Sequence, residues 1–151
     1  MLRHAEASRI KHEFWTTFGR YMAPVPSAEG DHINWVNYHT GIKNIYFRMD
    51  AGPKSAMIGI SIEHNDPVIR ELYFEQFDAL RLLLHAELAE EWEWQRESFS
   101  DERLASRIYK SVSGLSIYNK ESWPELISFF KPRIIALDAF WATAKFGFES
   151  L

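Results

Sequence analysis

The chain has 151 residues, a formal net charge of −4 and no cysteine. This length predicts one domain over residues 1–151. The lack of cysteine excludes disulfide frameworks, thiolate metal sites and cysteine nucleophiles. The slightly acidic balance is atypical of proteins that bind nucleic acid through bulk positive charge. No apolar run reaches the roughly 20 residues of a membrane span, and charged side chains interrupt the first 22 residues. We therefore expect a cytoplasmic protein with no membrane partner.

Apolar residues are abundant: hydrophobic side chains make up 46% of the chain and aromatic ones 15%. Such a composition predicts a folded core without help from a metal or disulfide. The aromatic content also exceeds what the core of a monomer requires, which keeps a surface for self-association as an alternative.

The N-terminal segment predicts an amphipathic helix over residues 7–22, with Ser8 or a neighbour as its cap. Its apolar stripe recurs at helical spacing through Ile10, Phe14, Phe18 and Tyr21. A loop over residues 23–31 follows, because Pro24, Pro26 and Gly30 interrupt regular structure there.

Three strands are predicted next, over residues 33–38, 44–49 and 56–63, from their period-two alternation. A turn signal at residues 50–53 makes the second and third strands an antiparallel hairpin. On the third strand, the inward face carries Ile58, Ile60 and Ile62.

The second half of the chain begins with Asp66 and Pro67, an N-cap acid followed by proline at the first helical position. This start predicts one helix to about residue 89. Residues 91–95 read as a strand with Trp92 and Trp94 buried. Residues 100–106 are either a short helix or a loop, and residues 108–112 form another strand.

The last helix opens at Ser122, with Glu125 placed for a capping box, and Pro132 is expected to kink or split it. Core packing is the preferred interpretation of its heptad-like seam and a dimer seam the alternative; the seam consists of Ile127, Phe130, Ile134, Leu137, Trp141, Ala144 and Phe148.

The predicted fold is α+β: a single domain with a central sheet of about five strands flanked by helices, in the order α-β-β-β-α-β-β-α.

Five segments resemble a family of short bacterial proteins known only as a domain of unknown function, of the DUF4268 type. They lie at residues 14–22, 33–43, 71–77, 106–109 and 130–138. The resemblance covers nearly the whole chain, so the protein is similar to a stand-alone member. It implies a nucleic-acid neighbourhood, because relatives of the domain occur next to restriction-nuclease-like modules, but it implies no activity.

The predicted element order also matches a restriction-endonuclease-like core, which would be degenerate here. Such nucleases hold Mg²⁺ between two carboxylates and place a lysine two residues after the glutamate. Glu63 stands at a suitable strand end, but Asn65 occupies the lysine position. Asp50 lies at the far end of the hairpin. We expect Glu63 to pair with Lys43 instead.

The sequence contains no complete set of catalytic residues. We therefore prefer the interpretation that the protein is not an enzyme, and we expect no cofactor. Glu63 and His64 are weak metal candidates, with Glu13 as a third ligand in a metal-dependent hydrolase. The binding surface predicted from grouped polar and aromatic side chains comprises Asn34, Asn37, Tyr38 and His39, with Lys43 and Arg48 as its cations.

The preferred function is therefore a non-catalytic binding or assembly module that acts on a protein partner or as a homodimer. The alternatives are a nucleic-acid-associated protein with a degenerate nuclease-like fold and the metal-dependent hydrolase.

Overall fold

The computed structural model describes residues 2–100 and 102–151. Its elements in chain order are α1 (His4–Met22), β1 (Ile45–Ala51), β2 (Ser55–Ile62), α2 (Pro67–Ala79), α3 (Arg81–Leu88), β3 (Glu93–Ser100), β4 (Arg103–Ser113), α4 (Trp123–Ala144) and α5 (Phe146–Glu149). A short 3₁₀ turn, Lys120–Ser122, precedes α4.

The four strands form one antiparallel sheet in the order β1-β2-β4-β3. The predicted hairpin is confirmed as β1 and β2, in which Ile45 pairs with Ile62 and Ala51 with Ala56. The turn between them is tight, since the Gly52 N–H donates to the Ser55 carbonyl. β4 lies between β2 and β3, so a long β-strand occupies the middle of the sheet.

One face of the sheet packs against the helices. The isoleucines of β2 are fully buried on this face, as predicted. Phe47 of β1 meets Trp141 of α4 edge to face at 5.6 Å between ring centroids. Nearer the N-terminus of α4, Phe130 packs against Phe14 and Phe18 of α1. The core therefore joins the sheet, α4 and α1, largely through aromatic rings.

The predicted strand over residues 33–38 is wrong, because this segment folds into turns. The Asn34 side chain accepts hydrogen bonds from the backbone N–H groups of Val36 and Asn37. Such a local bond competes with strand pairing. The Trp35 ring N–H donates to the Val25 carbonyl, so the segment is also tied to the preceding loop.

The sheet accordingly has four strands among the described residues instead of about five, and the nuclease-like core is not supported. Its first predicted strand is missing, and Asp50 pairs with Met57, six residues from Glu63 along β2. That separation is about 20 Å at the usual rise per residue, too far for a shared metal ion.

Several helix and strand boundaries differ from the prediction; α1, for example, begins at His4, and β3 spans Glu93–Ser100. The helix predicted to reach residue 89 divides at Leu80 into α2 and α3. Residues 103–106, which the sequence left as helix or loop, belong to β4. Ser122 makes no capping bond to α4, since its hydroxyl accepts from the Ser116 N–H. α4 continues through Pro132, and the predicted seam is core from Phe130 to Phe148.

The abundant aromatic residues are used mainly in the interior. Nine of the 11 phenylalanines are buried, and only Phe99 and Phe146 are exposed. The aromatic content therefore gives no separate support for self-association. None of the described helices is long and apolar enough to cross a membrane.

Gly59 allows β2 and β4 to approach closely at the centre of the sheet. A Cβ built on it would lie 2.6 Å from the Tyr109 Cβ and 2.7 Å from the Ile108 carbonyl oxygen. Neither atom belongs to the far end of a flexible side chain, so a larger residue would push the two strands apart.

We expect Gly59→Ala to lower the free energy of unfolding by about 1–3 kcal/mol, the usual cost of overpacking a tight site. Urea denaturation of both proteins measures this difference. Gly52→Ala, a change in the exposed turn where a Cβ meets nothing within 4 Å, is the matched control. Equal losses in the two variants would contradict the close approach.

Candidate functional site

The face of the sheet opposite the helices carries a hollow that we call the arginine hollow. Its volume is about 710 Å³. Its walls come from the strands and from the residue that follows β2, and no helix contributes to them. The lining consists of Arg48, Met49, Asp50, Met57, Gly59, Ile60, Ser61, Glu63, Arg103, Ala105, Arg107 and Tyr109.

The floor of the hollow is made of small side chains. Gly59 and Ser61 of β2 alternate onto this face, and Ala105 of β4 lies beside them. Long side chains surround this floor, including Arg48 from β1 and Arg107 from β4. The hollow exists because Gly59 and Ser61 of β2 carry little bulk between the long side chains of β1 and β4.

A buried carboxylate holds two of the arginines. Glu63 is 9% exposed. Its oxygens accept from the Arg48 Nε–H at 2.6 Å and a second Arg48 N–H at 2.9 Å, and from Arg103 at 2.8 Å. Burial alone would raise the pKa of the Glu63 carboxyl, but hydrogen bonds from Arg48, Ser61 and Arg103 outweigh it and hold the pKa below its ordinary value.

The backbone around Glu63 is fixed on both sides. The Glu63 N–H donates to the Asn44 carbonyl and extends the β1–β2 ladder by one bond. Arg70 of α2 is buried and donates to the carbonyls of His64 and Asn65. Asp66 caps α2 through the Val68 N–H, as predicted. Glu63 therefore enters the hollow from a rigid position at the end of β2.

The predicted Lys43–Glu63 pair is wrong. Lys43 is exposed and precedes β1. Asn44, which lies between Lys43 and the first residue of β1, has a positive φ of 70°, so the strand does not extend to Lys43. Arg48 takes the place of the lysine although it pairs with Gly59, four residues from Glu63. Its long side chain lies over the small floor to reach the carboxylate.

Two arginine–tyrosine pairs lie on either side of β2, one on β1 and one on β4. On β1, the Arg48 guanidinium lies 4.3 Å from the Tyr46 ring centroid. On β4, the Arg107 guanidinium lies 4.6 Å from the Tyr109 ring centroid. The Tyr109 hydroxyl donates to Glu93 at 2.6 Å, and this hydrogen bond raises the pKa of Tyr109.

Arg107 differs from the other two arginines in its partners. Within residues 2–100 and 102–151, no carboxylate forms an ion pair with it. Its guanidinium contacts the Met57 sulfur and the Ser98 hydroxyl instead. These partners are neutral, so neither of them offsets the positive charge of Arg107 at the wall of the hollow.

Four of the predicted binding residues meet in a second groove beside β1, of about 470 Å³: Asn37, Tyr38, His39 and Arg48. Asn34 lines a neighbouring hollow, where its side chain serves the turn already described. Lys43 lines neither. Arg48 is shared by the groove and the arginine hollow.

Tyr38 has a structural partner in this region. Its hydroxyl donates at 2.6 Å to the buried carboxylate of Asp138 on α4, which also accepts from the Ala28 N–H at 2.7 Å. Burial and the bond to Asp138 raise the pKa of Tyr38. Tyr38 thus joins the loop before β1 to α4 and stays protonated.

The candidate metal ligands are not brought together. Glu63 is occupied by arginines, and the Nδ1 of His64 accepts from the Asp66 N–H. Glu13 lies on α1 and pairs with Lys120 at 2.8 Å. In the part of the chain that the structure describes, no group of three His, Asp or Glu side chains is arranged to hold a metal ion.

The sequence analysis missed Arg103, Arg107 and Tyr109 as site residues. The sequence analysis predicts a helix or a loop over residues 100–106, which assigns these side chains to no face of the sheet. A period of two runs through the segment, with Arg103, Ala105, Arg107 and Tyr109 on one face. Following it back from the predicted strand at residues 108–112 would have found the site.

We expect Glu63→Gln to lower the free energy of unfolding by about 1–2 kcal/mol at neutral pH, a value reduced for the solvent exposure of both arginines. Since the folded-state pKa is lowered from its ordinary value of 4.5, the stabilisation by Glu63 is present above that value and is lost as pH falls through the folded pKa. The difference in the free energy of unfolding between Glu63→Gln and the parent protein should therefore be smaller at pH ~3 than at neutral pH.

Urea denaturation of the variant and the parent protein, at neutral pH and at pH ~3, measures this difference in the free energy of unfolding. Glu6→Gln, which removes the exposed partner of Arg3, is the matched control and should change little. A gap that widens on acidification would contradict the ion pair.

Comparison with known proteins identifies one family, whose model covers most of this architecture. No curated protein and no solved structure matches the chain. A family model, described as a domain of unknown function (DUF4268), matches residues 10–145. This span contains all four strands and both walls of the arginine hollow. The chain belongs to the DUF4268 family, as its sequence resemblance predicted.

Proposed function

We propose that the protein is a non-catalytic binding module that takes an anionic group in the arginine hollow. The observation that carries this proposal is Arg107, a guanidinium at the wall of a concave surface whose hydrogen-bond partners among the described residues are all neutral. Guanidinium groups bind phosphate and carboxylate through paired hydrogen bonds, for which Arg107 has donors available.

The charge of the hollow supports an anion. Arg48 and Arg103 share the single charge of Glu63, which leaves one positive charge in excess. Arg107 adds a second, and Asp50 on the lining subtracts one. The volume of about 710 Å³ is within the range of about 300–1,000 Å³ of ligand sites.

The absence of catalysis is supported by the state of the carboxylate. A general base works best with a pKa near the working pH. Glu63 has a lowered pKa, and two guanidinium groups occupy its oxygens. It is therefore suited to orient arginines and unsuited to exchange a proton with a substrate. The metal-dependent hydrolase receives no support from this geometry.

Assembly as a homodimer has a weaker basis than ligand binding. The most exposed large apolar side chains, Leu82, Val68, Phe99 and Phe146, lie on four different elements. We place the binding activity on the open sheet face for this reason.

We expect inorganic pyrophosphate to bind the protein, and Arg107→Gln to weaken that binding about tenfold or more, the usual worth of a hydrogen bond to a charged group. Isothermal titration calorimetry at low salt measures both affinities. Arg20→Gln makes the same charge change on the exposed surface of α1 and is the matched control. Equal weakening in both variants, or no binding by the parent protein, would contradict the proposal.

A further inference from the structure

We propose that the arginine hollow and the tyrosines beside it bind single-stranded nucleic acid, with bases on Tyr46 and Tyr109 and phosphates on the arginines. This inference rests on the proposed function and specifies its ligand. It is carried by the arrangement of the two arginine–tyrosine pairs on either side of β2.

The pairs are placed in opposite order in two adjacent rows of the sheet. In one row, Tyr46 of β1 and Arg107 of β4 lie on either side of Ser61. In the next row, Arg48 and Tyr109 lie on either side of Gly59. Each row therefore presents one ring and one cation, about 10 Å apart across two strand spacings.

This alternation fits a chain of flat bases linked by phosphates. Bases stack on aromatic rings and on arginine planes, and phosphates accept hydrogen bonds from the guanidinium edges. Tyr46 is 37% exposed, and its side chain makes no hydrogen bond to any described residue that stacking would break. The bond from Tyr109 to Glu93 fixes the other ring without covering it.

The same features favour a single strand over other polyanions. An acidic peptide would use the cations but leave the two rings without a role. A duplex hides the faces of its bases, so it would not use the rings either. Carboxylates on this face, such as Asp50 and Glu63, limit its net charge. Stacking must therefore supply much of the affinity.

The test is the fluorescence anisotropy of a labelled oligothymidylate of about 12 nucleotides, within the usual site sizes of single-strand binders. We expect binding that exceeds that of a duplex of equal length. Tyr46→Leu should weaken it at least about fivefold, the lower range for loss of one stacked base. Arg107→Gln should reduce the slope of log affinity against log salt by about 0.7.

Matched controls are available on α1. Tyr21→Leu removes an exposed tyrosine and Arg20→Gln an exposed arginine, and neither residue lies on the sheet. Both variants should bind as the parent protein does. Far-ultraviolet circular dichroism of each variant establishes that it is folded.

Three results would overturn the inference. One is that Tyr46→Leu binds as tightly as the parent. Another is that polyglutamate or the duplex binds as well as the single strand. That result would contradict the preference for single strands but not the proposed binding of an anionic group in the arginine hollow. The third is no anisotropy change up to about 100 µM protein, the weak end of non-specific binding. If pyrophosphate binds in that case, only the nucleic-acid inference fails; if it does not, the proposed function fails too.

Discussion

The carboxylate of Glu63 is buried beneath guanidinium groups that arrive from two different strands. Arg48 comes from β1 and Arg103 from β4, and β2 lies between them. A buried carboxylate without such partners would be strongly unfavourable, so the three side chains must be positioned together. Their positions in turn require small residues beneath them, because a bulky side chain at Gly59 or Ser61 would fill the space that Arg48 crosses. The open face of the sheet takes its shape from this one interaction.

The same interaction separates the roles of the three arginines. Arg48 and Arg103 are engaged by Glu63, which makes them parts of the wall. Arg107 lies on the same face, and its hydrogen-bond partners among the described residues are neutral. One guanidinium of the hollow is thus without a carboxylate partner in this part of the chain, while the two others also hold Glu63. The helix layer contributes by holding the end of β2 through Arg70, which fixes where Glu63 enters the hollow.

Much of the fold was predictable where local signals agree with tertiary packing. The β1–β2 hairpin, the isoleucine face and the Asp66 cap all follow from period, turn chemistry and capping. Residues 33–38 show the limit, because their alternation resembles a strand while the Asn34 side chain satisfies the backbone groups that a strand would pair. Of the residues that line the arginine hollow, the sequence analysis singles out Arg48 as a binding residue and Glu63 as a weak metal candidate. Arg103 and Arg107 follow a local period of two, but only the long-range pairing of β4 with β2 places them beside Arg48 and Glu63.

The most direct test of this account is the pKa of the Glu63 carboxyl, measured by ¹³C nuclear magnetic resonance in the folded protein and assigned with Glu63→Gln. The account predicts a pKa below the ordinary value of 4.5, because hydrogen bonds from Arg48, Ser61 and Arg103 outweigh the effect of burial. A pKa at or above 4.5 would show that the carboxylate is not held by the arginines and would remove the basis for the arginine hollow.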